Sequence, residues 1–430
     1  MLRSAKGTRC VRLNAVNSAS IQVAVPCQSD IRTTMFEHLA EYPGDPILSL
    51  IKTYQDDTRP EKVNLGVGVY LDAQGRLPVL QAVAAAEQQL RKAAPAPSMY
   101  LPMAGHDAYR LNAQRLQFGD QSQALAEGRI ATIQTLGGSG ALRTGADFLR
   151  QWFPDSGVWV SDPTWDNHLA LFAGAGFTVG TYPYCRPASA ELAFEAMLGT
   201  LSTLPRHSIV LLHPCCHNPT GLDLTNAQWL AVIQVLAERE LIAFVDCAYQ
   251  GFGEGLEADV FAIREMERAG LSFLVSYSFS KNFSLYGERV GTLSVVCSSA
   301  PLATKALGQL QATVRRHYSS PPRHGALLVD LVLGSELADL WRTEVDAMRT
   351  RIAAMRELLA QALVEAGLPL GERIRRHRGL FSYTHLTRAQ VLRLRQDHGI
   401  YLVDNGRLCL AGLTEEKLAY VSAAIADVIR

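Results

Sequence analysis

From about residue 130, short apolar runs alternate with turns marked by Gly, Pro or Asp and with segments of helical periodicity. The runs cover residues 130–133, 157–160, 208–212, 241–245, 271–275 and 292–296. Strands that are apolar on both faces and alternate with helices are typical of a mostly parallel sheet covered on each side. The sequence therefore predicts an α/β fold, in which ligands bind beyond the carboxyl ends of the strands.

The length and the last part of the chain indicate a second domain. At 430 residues the chain exceeds the roughly 250–300 residues at which single cores stop growing. Apolar residues recur every three or four positions from 337 to 363, which predicts one long amphipathic helix that ends before Gly367. The stretches GLFSYTHL and GIYLVDNGRLCLAGL follow and are typical of strands. We expect a large domain over 78–345 and a smaller α+β domain over 346–430, to which an N-terminal arm, 35–77, contributes in part.

Charge and cysteine usage exclude several kinds of partner. Lys and Arg number 41, as do Asp and Glu, so no basic excess is available to neutralise nucleic-acid phosphates or an anionic membrane surface. No apolar run reaches the length of about 18 residues that a membrane span needs. The 8 cysteines are scattered without a C-x-x-C motif, which is typical of reduced thiols and not of a disulfide framework. We expect neither nucleic acid nor a membrane as a partner.

The segment 1–34 is expected to lie outside the fold. Up to residue 29 it lacks acidic side chains and carries basic residues among Ser, Ala and Val, a composition that resembles an organelle transit segment. The alternative is a leader without a structural role, with the functional start near Met35.

Lys281 lies in SYSFSKNFSLYGERVG, directly after a predicted buried strand. The unperturbed pKa of a lysine is about 10.4, so holding the amine neutral near pH 7 costs roughly 4 kcal/mol. Lys281 is therefore either a surface lysine on a loop or a nucleophile that forms a Schiff base. Ser276, Ser278 and Ser280 alternate and would share one side of an extended chain, with Lys281 on the opposite side. Arg289 follows beyond a turn, where a guanidinium would suit a phosphate.

Three other strand ends carry groups whose roles the residues alone leave open. The turn QTLGGSGALRTGADFL, with Gly138 and Ser139, leads into a helix; it is either a phosphate site or an ordinary strand–helix turn. Trp165 in SDPTWDNH is either a wall for a flat ring or part of the core. Asn218 precedes Pro219 in HPCCHNPTG, where a cis peptide bond would direct the amide toward a ligand.

Asp246 and Tyr249 belong to a further strand end, VDCAYQGF. A carboxylate at the end of a buried strand needs a partner, and it is a helix cap, a structural ion pair or a functional group. Pyridoxal phosphate requires an amine, a carboxylate, donors for its phenolic oxygen, an aromatic face and a phosphate cradle. The joint occurrence of these groups at successive strand ends predicts a site for this cofactor.

A zinc site is the competing interpretation of HPCCHNPTG. His213, Cys215, Cys216 and His217 are all residue types that ligate zinc. Successive residues on a strand point to opposite faces, however, so we do not expect Cys215 and Cys216 to share one metal ion. No metal site is predicted.

Several segments resemble a known family. HNPTG, DCAYQGF and SFSKNFSLYGERVG resemble the class I aminotransferases, the aspartate and aromatic-amino-acid enzymes, over the chain from about Phe36 to its end. LHPCCHNPTG, SLYGERVG and ATVRRHYSSPP are most similar to the bacterial aromatic-amino-acid (tyrosine) aminotransferases. The resemblance implies the type I fold of pyridoxal-phosphate-dependent transferases, with a mostly parallel seven-stranded sheet, and a cytoplasmic homodimer with shared active sites. Because those relatives begin near Met35, we favour a leader over organelle import.

The resemblance also implies a role for each candidate cofactor contact. Lys281 forms the Schiff base and moves the proton of the reaction, Asp246 pairs with the pyridinium nitrogen, and Tyr249 bonds the phenolic oxygen. The remaining contacts are expected from Asn218 at the phenolic oxygen, Trp165 at the ring, and Gly138, Ser139, Ser278, Arg289 and Tyr100 at the phosphate, the last from the second subunit.

Substrate contacts are implied for Gly68, Trp165, Asn218, Arg315 and Arg407. Arg407 in NGRLCLAG is expected to bind the α-carboxylate through its guanidinium fork. Arg315 in VRRHY is expected to bind the distal carboxylate of a dicarboxylate across the dimer interface. Gly68 in NLGVGVY lies on the loop that closes over substrate in the family.

The expected activity is transamination of tyrosine and phenylalanine, and also of aspartate, with 2-oxoglutarate, by a ping-pong route through Lys281. The alternative is an aspartate aminotransferase with a strict dicarboxylate preference, because His385 and Asp404-Asn405 depart from the family pattern near the substrate pocket. A binding protein would carry a DNA-binding region, for which the neutral charge offers no sign. A pyridoxal-phosphate lyase would not need two arginines placed for a dicarboxylate.

Overall fold

The structure, a computed structural model, describes residues 36–42, 44–93, 97–186 and 189–430. The predictions for residues 1–34 and for a start near Met35 lie outside these residues. Two compact units divide the chain, Met1–Asp45 and Pro46–Arg430. The described part of the first unit includes a turn at 36–38.

The second unit contains one seven-stranded sheet and two small sheets of two strands each among the described residues. The strands are β1 (Val63–Asn64), β2 (Ile130–Leu136), β3 (Val158–Asp162), β4 (Val179–Pro183), β5 (Ile209–Leu212), β6 (Ile242–Cys247), β7 (Phe273–Ser278), β8 (Val290–Val296), β9 (Phe381–Tyr383), β10 (Ile400–Tyr401) and β11 (Arg407–Cys409).

The helices connect these strands and cover the sheets. They are α1 (Pro46–Asp56), α2 (Gln81–Lys92), α3 (Asp107–Phe118), α4 (Gln123–Ala126), α5 (Gly137–Trp152), α6 (Asp166–Gly174), α7 (Phe194–Leu201), α8 (Asn226–Glu238), α9 (Phe261–Arg268), α10 (Ala300–His317), α11 (His324–Leu333), α12 (Leu337–Glu365), α13 (Leu370–Arg375), α14 (Arg388–His398) and α15 (Glu415–Ile429). Short 3-10 turns occur at Ala258–Val260 and Leu410–Gly412.

The large sheet has the strand order β2-β8-β7-β6-β5-β3-β4. The pairs from β7 through β6, β5 and β3 to β4 are parallel, whereas β8 runs antiparallel to both of its neighbours, β2 and β7. The predicted α/β fold with a mostly parallel seven-stranded sheet is therefore confirmed. Each predicted apolar run overlaps one of these strands, and four of the six runs begin one or two residues before it. No run predicted β4, an edge strand in which Tyr182 is the one buried residue.

Both faces of the central strands are covered, which explains why apolar residues occur on both faces of a strand such as β5. In β5, Ile209 and Leu211 belong to one core cluster, whereas Val210 and Leu212 belong to another. Because side chains alternate along a strand, the two clusters occupy opposite faces. Trp229 of α8 joins the second cluster, and α8 begins with a capping box at Thr225.

The last part of the chain adds the long helix that the sequence predicts and three of the four strands of the two small sheets; the fourth is β1. Helix α12 spans 29 residues. Strand β9 pairs antiparallel with β11, and β1 pairs parallel with β10. Among the described residues, no helix combines the length and hydropathy needed to cross a membrane.

Strand direction gathers the candidate residues at one edge of the large sheet. The carboxyl ends of β2, β3, β5, β6 and β7 meet there, since β2 is antiparallel to β8 and β8 is antiparallel to β7. The start of β8 meets them because its direction is reversed, and Arg289 directly precedes that start. The topology thus brings a residue eight positions after Lys281 back to the same edge.

Candidate active site

A cavity of about 190 Å³ lies at this edge. Most of the predicted site residues line it: Gly68, Gly138, Ser139, Trp165, Asn218, Asp246, Tyr249, Ser278, Lys281, Arg289 and Arg407. The cavity is also lined by Leu142, His213, Ala248, Ser280 and Phe381. Strand ends from the large sheet therefore meet residues from the loop after β1 and from β9 and β11 at one site.

Tyr100 and Arg315 do not line this cavity. Tyr100 is 95% exposed, and the Arg315 guanidinium donates to the Ser319 hydroxyl at the end of α10. Their expected place is in the active site of a second subunit, so their roles stay predictions.

Asp246, near the end of β6, forms the floor of the cavity and is 5% exposed. Its carboxylate lies 3.1 Å from Nε2 of His168 and accepts a hydrogen bond of 3.3 Å from the Ser276 hydroxyl. Burial alone would raise the pKa of Asp246, but the hydrogen bond from His168 and the nearby charge of Lys281 act against burial, and that pKa is lowered. Asp246 is thus held as a carboxylate at neutral pH.

His168 is a site residue that the sequence reasoning missed. It lies in the first turn of α6, and its Nδ1 is 2.8 Å from the Thr164 hydroxyl. In the tautomer whose Nε2 donates to Asp246, Nδ1 carries no proton and accepts from the Thr164 hydroxyl. Burial lowers the pKa of the neighbouring His213 to about 3, so its ring is neutral. The signal was present in SDPTWDNH, where a histidine stands three residues after Trp165 and so shares its helical face.

Lys281 follows β7 after a short turn and is half-buried against the cavity. Burial lowers its pKa to about 8; the charge of Asp246 opposes this shift, and the charges of Arg289 and Arg407 add to it. A lysine with such a pKa is a competent nucleophile and proton carrier near neutral pH.

The serines that alternate before Lys281 do not lie opposite it. Strand β7 ends at Ser278 and the chain then turns, so that Ser278, Ser280 and Lys281 line the same cavity. The expectation of opposite sides assumed an extended chain, and the turn removes that assumption.

Asn218, Tyr249 and Arg407 form a polar wall beside the lysine. The Asn218 amide lies 3.5 Å from the Tyr249 hydroxyl, and its oxygen accepts a 3.1 Å hydrogen bond from Nη1 of Arg407. The peptide bond between Asn218 and Pro219 is cis, as the sequence suggested. Burial raises the pKa of Tyr249, which keeps its hydroxyl protonated.

The Arg407 guanidinium is 4% exposed and only partly paired. Its Nη2 donates to the Gly66 carbonyl at 2.8 Å, and its Cζ lies 4.3 Å from the centre of the Phe381 ring. Its Nε has no hydrogen-bond partner among the described residues. A buried guanidinium with a free donor beside a cavity suits a carboxylate.

The start of α5 and Arg289 form an anion-binding corner. Helix α5 has no side-chain cap at its N-terminus, so its first N–H groups are available to a ligand. A Cβ at Gly137 would lie 2.7 Å from Nη2 of Arg289, and one at Gly138 would lie 3.2 Å from Cβ of Ser278. Glycine at these positions lets a guanidinium and a hydroxyl approach the helix start, as a phosphate cradle requires.

These groups fit pyridoxal phosphate. An amine with a lowered pKa, an ionised carboxylate, an indole, a tyrosine hydroxyl and an anion-binding corner all face one cavity. Arg407 adds a partly paired guanidinium to the same cavity.

The residues that depart from the family pattern lie outside the cavity lining. Nε2 of His385 is 3.8 Å from Sγ of Cys185, and its ring is 4.4 Å from that of Tyr383. The side-chain oxygen of Asn405 accepts the backbone N–H of Arg407 at 3.0 Å. Asn405 therefore acts on the site through the position of Arg407.

The expectation that Cys215 and Cys216 point apart is wrong. Their sulfur atoms and a carboxylate oxygen of Asp259 all lie within 4.8 Å of one another. The reason is that β5 already ends at Leu212 and that Cys216 adopts a positive φ of 52°, so the alternation of a strand does not extend to this pair.

The chain is similar to known proteins over most of its length. The family model described as aminotransferase class I and II matches residues 60–425. The chain is 55% identical over 400 residues to the aromatic-amino-acid aminotransferase of Escherichia coli (strain K12), which covers 92% of this chain and 100% of that protein. It is 48% identical over 398 residues to an aspartate aminotransferase of Pseudomonas aeruginosa, at 92% and 100% coverage.

The fold is also similar to that of a solved aminotransferase structure. The aromatic-amino-acid aminotransferase from Burkholderia pseudomallei, covalently bound to pyridoxal phosphate, superposes with a TM-score of 0.90 at 48% sequence identity. The match covers 92% of this chain and 100% of that one.

Proposed function

The chain belongs to the class I and II aminotransferase family, and we propose that it transfers the amino group of tyrosine and phenylalanine, and also of aspartate, to 2-oxoglutarate. Its cofactor is pyridoxal 5′-phosphate, as predicted; the family and the cofactor of the similar solved structure agree on this point. The preference for aromatic substrates rests on the similarity to a relative named for that activity.

One observation carries the assignment of the site. Lys281, whose pKa lies at about 8, lines the same small cavity as the ionised Asp246 and the partly paired Arg407. A surface lysine on a loop, the alternative for Lys281, would need neither a buried carboxylate nor a partly paired guanidinium beside it.

Pyridoxal phosphate, when bound, supplies an aldehyde and a ring that withdraws electrons from the reacting carbon. Asp246 would face the ring nitrogen and keep a proton there, because His168 and Ser276 hold its carboxylate in place. Tyr249 and Asn218 would hydrogen-bond the phenolic oxygen, and Trp165 would cover the ring.

The phosphate would lie in the anion-binding corner of Gly138, Ser139, Ser278 and Arg289. This corner combines N–H groups at a helix start with a guanidinium, which together favour a doubly charged oxyanion. The phosphate would thereby fix the cofactor while the reacting groups exchange protons.

Lys281 and Arg407 would act on the substrate. The Lys281 amine, neutral in an appreciable fraction near pH 8, would accept a proton from the substrate α-carbon and deliver it to the cofactor carbon that carried the aldehyde, which is general acid–base catalysis. Arg407 holds the α-carboxylate and so orients the bond that breaks; a charged hydrogen bond of this kind contributes about 1.5–3 kcal/mol. Gly68 borders this position.

We further propose a homodimer in the cytoplasm, with Tyr100 and Arg315 contributed to the partner's site, and the two domains at the boundaries given above. Co-refolding Lys281→Ala with Arg315→Leu subunits tests the shared site. Mixed dimers would contain one site with both native residues, so aspartate activity should exceed that of either variant alone. Activity no higher than the sum of the separate variants would contradict the proposal.

An aspartate aminotransferase with strict dicarboxylate preference is the second candidate, because the Pseudomonas relative at 48% identity carries that name. Comparing kcat/KM for tyrosine, phenylalanine and aspartate with 2-oxoglutarate separates the two. A preference for aspartate of about a thousandfold, equal to about 4 kcal/mol in transition-state binding, would overturn the aromatic assignment.

A further inference from the structure

Two buried thiols and a buried carboxylate meet on the far side of the residues that line the active-site cavity. Cys215 and Cys216 follow β5, and Asp259 lies in the 3-10 turn Ala258–Val260. Their relative exposures are 5%, 1% and 4%, and their sulfur and oxygen atoms lie within 4.8 Å of one another. The proposed transamination uses none of these side chains.

The backbone around the thiols is held firmly in this arrangement. The Asp223 carboxylate accepts the N–H groups of Cys216 and His217 at 2.7 and 2.9 Å. Gly379 packs so closely that a Cβ there would lie 2.4 Å from Cβ of Cys216. The two thiols are therefore placed together before any ligand arrives.

We propose that Cys215, Cys216 and Asp259 bind a thiophilic divalent cation of the zinc class. Thiolate and carboxylate are both ligands of zinc, and a site with Zn–S bonds of about 2.3 Å needs ligand atoms about 3.8 Å apart. The observed limit of 4.8 Å leaves an adjustment of about 1 Å, which a rotation of the two thiol side chains supplies.

The carboxylate is oriented as metal ligands usually are. Its oxygens accept the backbone N–H groups of Gly251, Gly253 and Glu254 at 2.8, 2.9 and 2.7 Å. Such outer contacts fix a ligating carboxylate and are a regular part of metal sites.

A buried cation nearby balances the charge of the bound site. Two thiolates and a carboxylate around a divalent ion leave one net negative charge. The Arg356 guanidinium is 7% exposed and donates to the Gly379 carbonyl, next to Cys216. Its Nε has no hydrogen-bond partner within the described part of the chain. A buried arginine in this state needs a negative neighbour, and the metal-bound site would be one.

An entry path exists. Cys215 and Asp259 both line a cavity of about 560 Å³, together with Asp223. An ion can reach Cys215 and Asp259 from this side, and water from the cavity would complete a tetrahedral coordination.

The ion would lie directly behind the proposed cofactor contacts. Sγ of Cys216 is 3.8 Å from the Tyr249 carbonyl, and Cys216 stands two residues before Asn218. We therefore expect binding to reduce transamination by displacing these two residues, although the metal site itself does not depend on the proposed function.

Zn²⁺ titration of the untagged holoenzyme by calorimetry tests the site. The expected result is one equivalent bound by the wild type and by Cys297→Ala, a variant of a buried cysteine elsewhere, with affinity at least about 100-fold weaker in Cys215→Ala and Cys216→Ala. Unchanged affinity in either of the last two variants would overturn the proposal.

X-ray absorption of the zinc-loaded wild type provides a test that needs no folded variant. Two sulfur ligands at about 2.3 Å are expected. A shell of nitrogen and oxygen donors only, as binding at His168 and His213 would give, would refute the assignment, and so would failure of the wild type to bind zinc.

Discussion

Replacing Asp246 by asparagine removes one negative charge from the floor of the active site and little else. The amide has the shape of the carboxylate, and its oxygen can still accept a hydrogen bond from His168. In the wild type, Nε2 of His168 lies 3.1 Å from the Asp246 carboxylate. Asp246 is 5% exposed, and its pKa is lowered in spite of burial, so the charge itself is what the surroundings stabilise.

The loss expected in Asp246→Asn follows from the cost of leaving a buried charge without its partner. Removing one member of a buried ion pair costs about 3–5 kcal/mol. Here the cost would fall on the protonated cofactor ring, which must stay protonated while the substrate α-carbon carries negative charge. This corresponds to a fall in kcat of roughly 10²–10⁴-fold. KM should change little, because the proposed contact of Arg407 with the α-carboxylate is untouched by the substitution.

Steady-state kinetics with tyrosine and 2-oxoglutarate, with cofactor content measured by absorbance, provide the assay. Glu267→Gln is the matched control, because Glu267 is a buried carboxylate that binds Ser122 and the Ala124 N–H away from the cavity; its kcat should stay within about threefold. A folded, cofactor-loaded Asp246→Asn enzyme with kcat within tenfold of the wild type would refute the reasoning.

Two further predictions concern Arg315, which we propose binds the distal carboxylate, and Lys281. Arg315→Leu should lower kcat/KM for aspartate by roughly 10–150-fold, the equivalent of one charged hydrogen bond, and that for phenylalanine by less than about threefold. The neighbouring Arg316→Leu serves as control, since Arg316 binds Gln151 and Thr313 instead; equal losses for both substrates in Arg315→Leu would contradict the two-substrate account. The rate at which cofactor-free enzyme captures pyridoxal phosphate should rise with pH, with a midpoint at about pH 8 and a plateau above it. The reason is that the Lys281 amine has a free electron pair only above its lowered pKa. A midpoint near the ordinary lysine value of 10.5 would show that burial does not shift this amine.

The sequence predicts the sheet and most of the cavity lining for a physical reason. Strands buried on both faces are mostly apolar, as β5 is throughout and β7 is in its first three residues, and the polar groups of the site follow where such strands end. Because parallel strands end at one edge, residues far apart in sequence, such as Ser139 and Asp246, could be assigned to one site. Edge strand β4 lacks that signal, since one of its faces is not packed.

The features that the sequence misplaced depend on local backbone geometry or on contacts between distant segments. Lys281 joins the serines because the chain turns after β7, and Cys216 joins Cys215 through a positive φ; no periodicity encodes either. His168 becomes a site residue only when α6 carries it to the end of β6. Whether Arg315 reaches a site depends on a second subunit, which one chain's residues cannot specify.

The account depends most on the identity of the amine that holds the cofactor. Reduction of the holoenzyme with borohydride, followed by proteolysis and mass spectrometry, would locate the covalently attached pyridoxyl group. The account predicts that the label is found on Lys281 and that Lys281→Ala carries none. A label on any other lysine, or an active Lys281→Ala enzyme, would contradict it.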